Sequence, residues 1–440
     1  MKPNKLIFLS ITMLALLNCK KEEAPPEKPE ISNNDIYFSI MVADEYIPEN
    51  IEEWIIINDK NGNLLDYRQL ANGSTTEFKA LENEIPNQFT ITTFRRAYLP
   101  SLNISRFFLT TYPNIAKESF WNLEYFPSTP REVNPTVPGS FSLFVENVPN
   151  YIDYTLSSLE SISPVRSYYL QRGSNSLSLP EIHIYQQNRY ILTIVDGLNN
   201  VKYKIFENTQ DGQNLILDYN DFSFFENYLT ISLPNQEIDY LYLINGLSED
   251  VAYVGNDGFA YHQNFISSED QLPFGQLKIG YLDIFDKHKI FFSIDMLEDS
   301  YSYQYLKNGR PTFELAIPEK PDFNFQGESV LDFQFSADIN YVYSSSQWIT
   351  SENIEEQSQD QTAWTIFTEF NSITKLKEFP SEIIAQYPRL SLDNLQYQST
   401  SLNLKSESYP DFIDRSFTPK ESIGNTDYEK EILTIKNPTD

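Results

Sequence analysis

Tyr190-Ile191-Leu192-Thr193-Ile194-Val195-Asp196-Gly197-Leu198-Asn199-Asn200-Val201-Lys202-Tyr203-Lys204-Ile205 holds two strand patterns with a turn signal between them. The first opens on an apolar run, as a central strand covered on both faces requires. The second alternates apolar residues with lysine, the period of a half-buried strand. Asp196-Gly197 between them is an Asx-Gly pair, which accepts the positive φ of a tight hairpin.

The same grammar extends in both directions. Phe141/Leu143/Val145, Leu229/Ile231/Leu233 and Leu331/Phe333/Phe335 alternate, while Trp54-Ile55-Ile56-Ile57 and Tyr240-Leu241-Tyr242-Leu243-Ile244 are apolar throughout. β-branched and aromatic residues dominate them all, as a pleated surface prefers. Further Asx-Gly pairs stand at Asn61, Asn72, Asp211, Asn245, Asp257 and Asn308. Helical signal is confined to Pro380–Tyr387, with an early acid and a stop at Pro388, and to a turn or so over Tyr409–Arg415. The chain therefore reads as all-β. Strand–turn–strand rhythms start near residues 54, 190 and 240, intervals that fit no single propeller-blade period. Tandem antiparallel β-sandwich modules of Ig-like type are expected, with a β-propeller as the alternative.

Prolines suggest where modules divide. Phe126–Ser140 carries Pro127, Pro130, Pro135 and Pro138, and Ile317–Gly327 carries Pro318 and Pro321. The expected organisation is a β-sandwich over 35–126, a β-rich region of one or two modules over 141–317, and a C-terminal β-rich domain with a short helix over 322–440. Long surface loops within one domain are the competing reading of both proline stretches.

Composition narrows the function classes. The 440 residues carry 32 Lys+Arg against 62 Asp+Glu, a net charge of −30, which argues against nucleic acid as a partner. Hydrophobic residues make up 40% of the chain, enough for packed cores. With 14 glycines, Gly-rich phosphate loops have little material. A single cysteine excludes an internal disulfide and a Cys-based zinc site.

That cysteine ends the most informative segment. Lys2 and Lys5 precede the apolar run Leu6–Leu17, too short for a bilayer span of about 20 residues. Leu16-Leu17-Asn18-Cys19 follows. It resembles the lipobox of bacterial lipoproteins, with Asn18 standing where Gly or Ala is commoner. Cys19-Lys20-Lys21-Glu22-Glu23 is similar to the surface-export signal of lipoproteins from a large Gram-negative phylum known for gliding and glycan-foraging species. The resemblance covers residues 1–23. It implies a signal peptide over 1–18, acylation of Cys19, and display on the outer face of the outer membrane. Residues 19–34, charged and proline-bearing, would then be a lipidated tether reaching at most ~50 Å.

Catalytic motifs are sparse. His183, His262 and His288 are far apart in sequence and form no H-E-x-x-H pair; each is expected in an exposed or half-exposed structural role. Ser372-Ile373-Thr374-Lys375 matches S-x-x-K, but no K-T-G strand accompanies it. Acidic pairs such as Asp218/Asp221 and Glu355-Glu356 are too common to single out a glycosidase. Acidic loops bind calcium in other surface β-domains, yet no EF-hand register exists here. No cofactor is indicated.

The four tryptophans carry the remaining signal. Trp54 opens an all-apolar strand and is expected in the core. Trp121, near a module edge, and Trp348, after Ser344-Ser345-Ser346, are the candidate ligand-binding residues, with burial as the competing reading. The expected function is a non-catalytic surface lipoprotein that binds a glycan, a peptide or an outer-membrane protein partner. The alternatives are a surface glycan hydrolase using paired carboxylates and an accessory subunit of an outer-membrane uptake or secretion machine.

Overall fold

A computed structural model describes residues 36–80, 86–124, 136–158, 166–169, 175–185, 188–247, 259–266, 275–285, 287–327, 329–350, 360–370, 372–417 and 427–437. The signal peptide, Cys19 and the tether lie outside the described residues. So does most of the first proline stretch.

The described residues form twenty-eight strands and two α-helices. The first part supplies β1 (Ile36–Val42), β2 (Ile51–Asn58), β3 (Leu64–Gln69), β4 (Ser74–Lys79), β5 (Gln88–Leu99), β6 (Ile104–Ala116) and β7 (Ser119–Leu123). The second supplies β8 (Thr136–Glu146), β9 (Asp153–Ser158), β10 (Arg166–Tyr169), β11 (Leu177–Tyr185), β12 (Arg189–Val195), β13 (Val201–Glu207), β14 (Asn214–Asp218) and β15 (Ser223–Phe224). Next come β16 (Asn227–Ser232), β17 (Ile238–Leu247), β18 (Phe259–Ile266), β19 (Gln276–Tyr281), β20 (Lys287–Met296), β21 (Tyr301–Gly309) and β22 (Glu314–Ala316). Last are β23 (Phe323–Gln326), β24 (Gln334–Ala337), β25 (Tyr343–Thr350), β26 (Gln361–Glu369), α1 (Ser381–Gln386), β27 (Leu395–Lys405), α2 (Tyr409–Phe417) and β28 (Tyr428–Lys436).

The fold is all-β, built of face-packed sheets. One twelve-stranded sheet runs in the order β18-β17-β20-β21-β28-β27-β25-β26-β6-β5-β2-β3. Smaller sheets lie in the orders β4-β1-β7, β11-β8-β14, β10-β9-β12-β13-β15, β19-β16-β22 and β23-β24. None of these repeats a four-stranded blade, so the propeller alternative is set aside. Most pairings are antiparallel; β1–β7, β8–β14, β16–β22 and β6–β26 are parallel, each joining strands distant in sequence.

The apolar runs sit in central strands because both of their faces are buried. In β2, Ile55 and Ile57 enter one core while Ile56 enters the core on the opposite side of the sheet. In β12, Tyr190, Leu192 and Ile194 face one core and Ile191 and Val195 another. The five-stranded sheet is thus a wall shared by two packed layers. Strands of 35–126 and of 322–440 share the large sheet through the β6–β26 pair. They also share a core: Tyr409, Ile413 and Phe417 of α2, spaced by one helical turn, pack with Phe38, Phe78 and Trp121. Ser408 caps this helix by accepting from the Asp411 amide at 3.3 Å.

Several local expectations need correction. Asn245-Gly246 is no turn; it lies within β17, where the pairing with β18 shifts register. In the Asp196-Gly197 hairpin the left-handed residue is Asn199, at φ 62°, because Asp196 Oδ1 accepts from the amides of Leu198 and Asn200 and fixes the loop. Leu331/Phe333/Phe335 gives only the short β24, since Ser329–Asp332 closes a turn through the Asp332 carboxylate.

Candidate functional site

Ile51-Glu52-Glu53-Trp54 on β2 and Phe94-Arg95-Arg96-Ala97 on β5 run antiparallel, with Glu52 opposite Arg96 and Glu53 opposite Arg95. Successive strand residues point to opposite faces. Two adjacent rungs of the sheet therefore carry two carboxylate–guanidinium pairs on opposite faces, each opening into its own cleft.

On the Glu52 face lies a polar cleft of about 420 Å³. Arg96 donates to Glu52 Oε1 and, through Nε, to Ser105 Oγ at 3.2 Å. Its guanidinium carbon stands 5.2 Å from the Tyr98 ring centre and 5.7 Å from that of Tyr387, so it is held between two aromatic faces. The Tyr387 hydroxyl donates to Glu52 and accepts from Trp54 Nε1 at 3.1 Å and Gln386 Nε2 at 3.0 Å. Burial, reinforced by the hydrogen bond to Glu52, raises the Tyr387 phenol far above its ordinary pKa. The Tyr98 hydroxyl donates to Asn103 Oδ1 at 3.1 Å. At the rim, Arg389 donates to the Asn103 carbonyl at 3.2 Å and pairs with Asp360 at 3.3 Å. The segment after α1 delivers Tyr387 and Arg389, because Pro388 ends the helix and Tyr387 is buried against Phe94 and Phe107. The result is a rigid set of donors, acceptors and aromatic faces around one charge-balanced pair.

On the Glu53 face lies a largely apolar cavity of about 440 Å³. Arg95 Nε donates to Glu53 Oε1 at 2.6 Å.

The chain matches no family model and no curated protein. Among solved structures, a tetra-tandem repeat from the extending region of a large adhesion protein aligns over 90% of this chain and 97% of that one, at 8% identity. Its TM-score is 0.12, and a superposition of that quality carries no argument about this chain.

Trp121 and Trp348 are each 2% exposed, so neither offers the free stacking face the sequence suggested. Trp121 stacks on Phe417 and contributes to the inner wall of the apolar cavity. Trp348 packs edge-on against Phe333, behind the β23–β24 hairpin. Both are drawn inward because they lie in paired strands whose inner face needs large apolar area. Trp54, expected in the core, is half-buried and serves the polar cleft through its indole N–H.

The other sequence candidates resolve into structural roles. His183 is exposed, and the side chain of His262 lies outside the described residues. His288, expected near the surface, is 3% exposed, with Nε2 3.1 Å from the Leu282 carbonyl. Ser372 of the S-x-x-K match donates to the Glu369 carbonyl at 2.9 Å and closes a turn. Asp218 accepts from Asn220 N and caps a short 3-10 turn. Among the described residues, no three of His, Cys, Asp and Glu gather as a metal site.

Sequence reasoning passed over Glu52, Arg96, Tyr98 and Tyr387. A signal was present: Arg95-Arg96 is a doubled cation inside a strand of a strongly acidic chain, and Glu52-Glu53 is a doubled anion opening another strand. Their register could not be read from either strand alone.

Proposed function

We propose that this protein is an outer-membrane lipoprotein, acylated at Cys19, whose β-sandwich body binds carbohydrate without catalysis through the cleft beside Tyr98. One observation carries the reading: Arg96 is fixed between the Tyr98 and Tyr387 rings and on Glu52, beside the amide groups of Asn103 and Gln386 and the Arg389 guanidinium. A sugar presents alternating hydroxyl donors and acceptors on its edges and C–H groups on its faces. Planar amide, guanidinium and aromatic groups answer both, and their fixed positions lower the entropy cost of binding.

The same geometry favours binding over hydrolysis. Glycoside cleavage uses two carboxyl groups about 5–10 Å apart. Among the described residues Glu52 is the one carboxylate lining this cleft, and Arg96 and Tyr387 already engage it; Asp360 stands outside the lining, held by Arg389 and the Ser105 amide. Display on the cell exterior rests on the lipobox and on Lys20-Lys21-Glu22-Glu23. A tether and a net charge of −30 would hold the body clear of anionic headgroups.

Two experiments test this. Radiolabelled palmitate should mark the wild-type chain and not the Cys19→Ala variant; equal labelling overturns the anchor. A glycan panel probed with the full chain carrying Cys19→Ser should yield at least one ligand whose binding is lost in Tyr98→Ala. Turnover of that glycan would replace binding with hydrolysis.

A further inference from the structure

The opposite side of the same sheet carries a second cleft of different chemistry. Ile40, Ile55, Leu70, Trp121, Leu123 and Phe417 close its inner end, all at most 9% exposed. Toward the mouth, Thr93, Ala97 and Thr110 are half-buried and Phe108 is 41% exposed. The space runs from a rim of half-exposed residues to a buried apolar end. Its volume of about 440 Å³ falls in the range of small-molecule sites, about 300–1,000 Å³. Apolar walls around so large a space forgo dispersion contacts that an inserted apolar body would restore.

Charge decides what that body is. Among the described residues, Glu53 and Arg95 are the only charged side chains lining the cavity, and they neutralise each other. Glu53 is 8% exposed and the Arg95 side chain 41%, so a ligand bearing a net charge would have to break this half-open pair or leave its own charge unpaired among the apolar walls further in. Both are costly. An uncharged head that donates and accepts can sit beside the pair without disturbing it.

We propose that this cavity binds a small electroneutral molecule with a flat apolar body and a single hydrogen-bonding head. The body lies against the rings of Phe108 and Tyr112 and the edge of the closed Trp121–Phe417 stack, and the head meets Glu53 and Arg95. The site lies across the sheet from the carbohydrate cleft: Glu53, Ile55, Thr93, Arg95 and Ala97 occupy the other face of β2 and β5, and the two linings share no residue.

Nile red, which is uncharged, is the probe, used with the full chain carrying Cys19→Ser. Saturable one-to-one binding is expected, with a blue-shifted emission and quenching of tryptophan fluorescence that Trp121→Phe diminishes. Thr110→Trp should fill the cavity and weaken binding at least 10-fold, while Tyr98→Ala in the other cleft leaves it unchanged. Ala97→Phe narrows the mouth independently and serves if Thr110→Trp fails to fold. Laurate, an anion of similar apolar length, should not displace the dye. Binding that survives both filling variants, or displacement by laurate as effective as by dodecanol, its uncharged counterpart, overturns the proposal.

Discussion

Trp121 and Phe417 lie face to face, with ring centroids 3.6 Å apart and planes 4° from parallel. One belongs to β7 and the other to the last turn of α2, so this contact clamps the first seven-stranded part of the chain to its C-terminal part. Tyr112 meets the Phe417 edge at 4.9 Å and completes a three-ring cluster. Replacing Phe417 or Trp121 by alanine should cost about 3–5 kcal/mol, the usual range for an aromatic core truncation. Urea titration of each variant measures it. A loss below about 1 kcal/mol would mean that α2 docks through other contacts.

Tyr98 contributes a ring face and a hydroxyl to the polar cleft, yet it is only half-buried. Its removal should therefore spare the fold. Tyr98→Ala is expected to weaken a carbohydrate ligand about tenfold or more, equivalent to about 1.4 kcal/mol, with an unchanged melting temperature. Calorimetric titration beside a thermal scan separates the two effects. Arg389→Ala should weaken the same ligand less, because that side chain stands at the exposed rim.

His288 is held neutral by burial, which lowers its pKa from 6.5 to about 4 despite the hydrogen bond with the Leu282 carbonyl. The unfolded chain protonates this residue near 6.5 while the folded chain resists, so stability is fully present above 6.5 and falls as the pH drops toward 4. At about 1.4 kcal/mol per pH unit, the loss across this window approaches 3 kcal/mol. His288→Gln should flatten the decline between pH 6.5 and 5, where few carboxylates titrate. Denaturation midpoints at pH 7, 6 and 5 for both chains decide it, and parallel slopes would discard the assignment.

Gly280 in β19 packs under Phe225, and a Cβ there would stand 2.4 Å from the ring. Phe225, in the link between β15 and β16, is 3% exposed and has little room to withdraw. Gly280→Ala should destabilise by about 1–3 kcal/mol. Combining it with Phe225→Leu should recover part of the loss, giving a non-additive double-mutant cycle.

Strand character and the short helices were legible because each rests on neighbours within a few residues. The runs at 54–57 and 190–192 announced central strands, and Pro380–Tyr387 and Tyr409–Arg415 announced α1 and α2. Solvent-facing turns were read less well. Asn245-Gly246 carries the letters of a hairpin turn, but tertiary pairing draws it into β17 as a register shift.

The sequence by itself determined the all-β class, the acidic surface and the periods that send each side chain inward or outward. These follow from backbone geometry and from local burial of apolar area. Only the tertiary structure decided that β5 and β2 align Arg96 with Glu52, that Tyr387 arrives from beyond α1, and that Trp121 is covered by Phe417. Each contact joins residues distant in the chain, and register across a sheet is set by the packing of both of its faces at once.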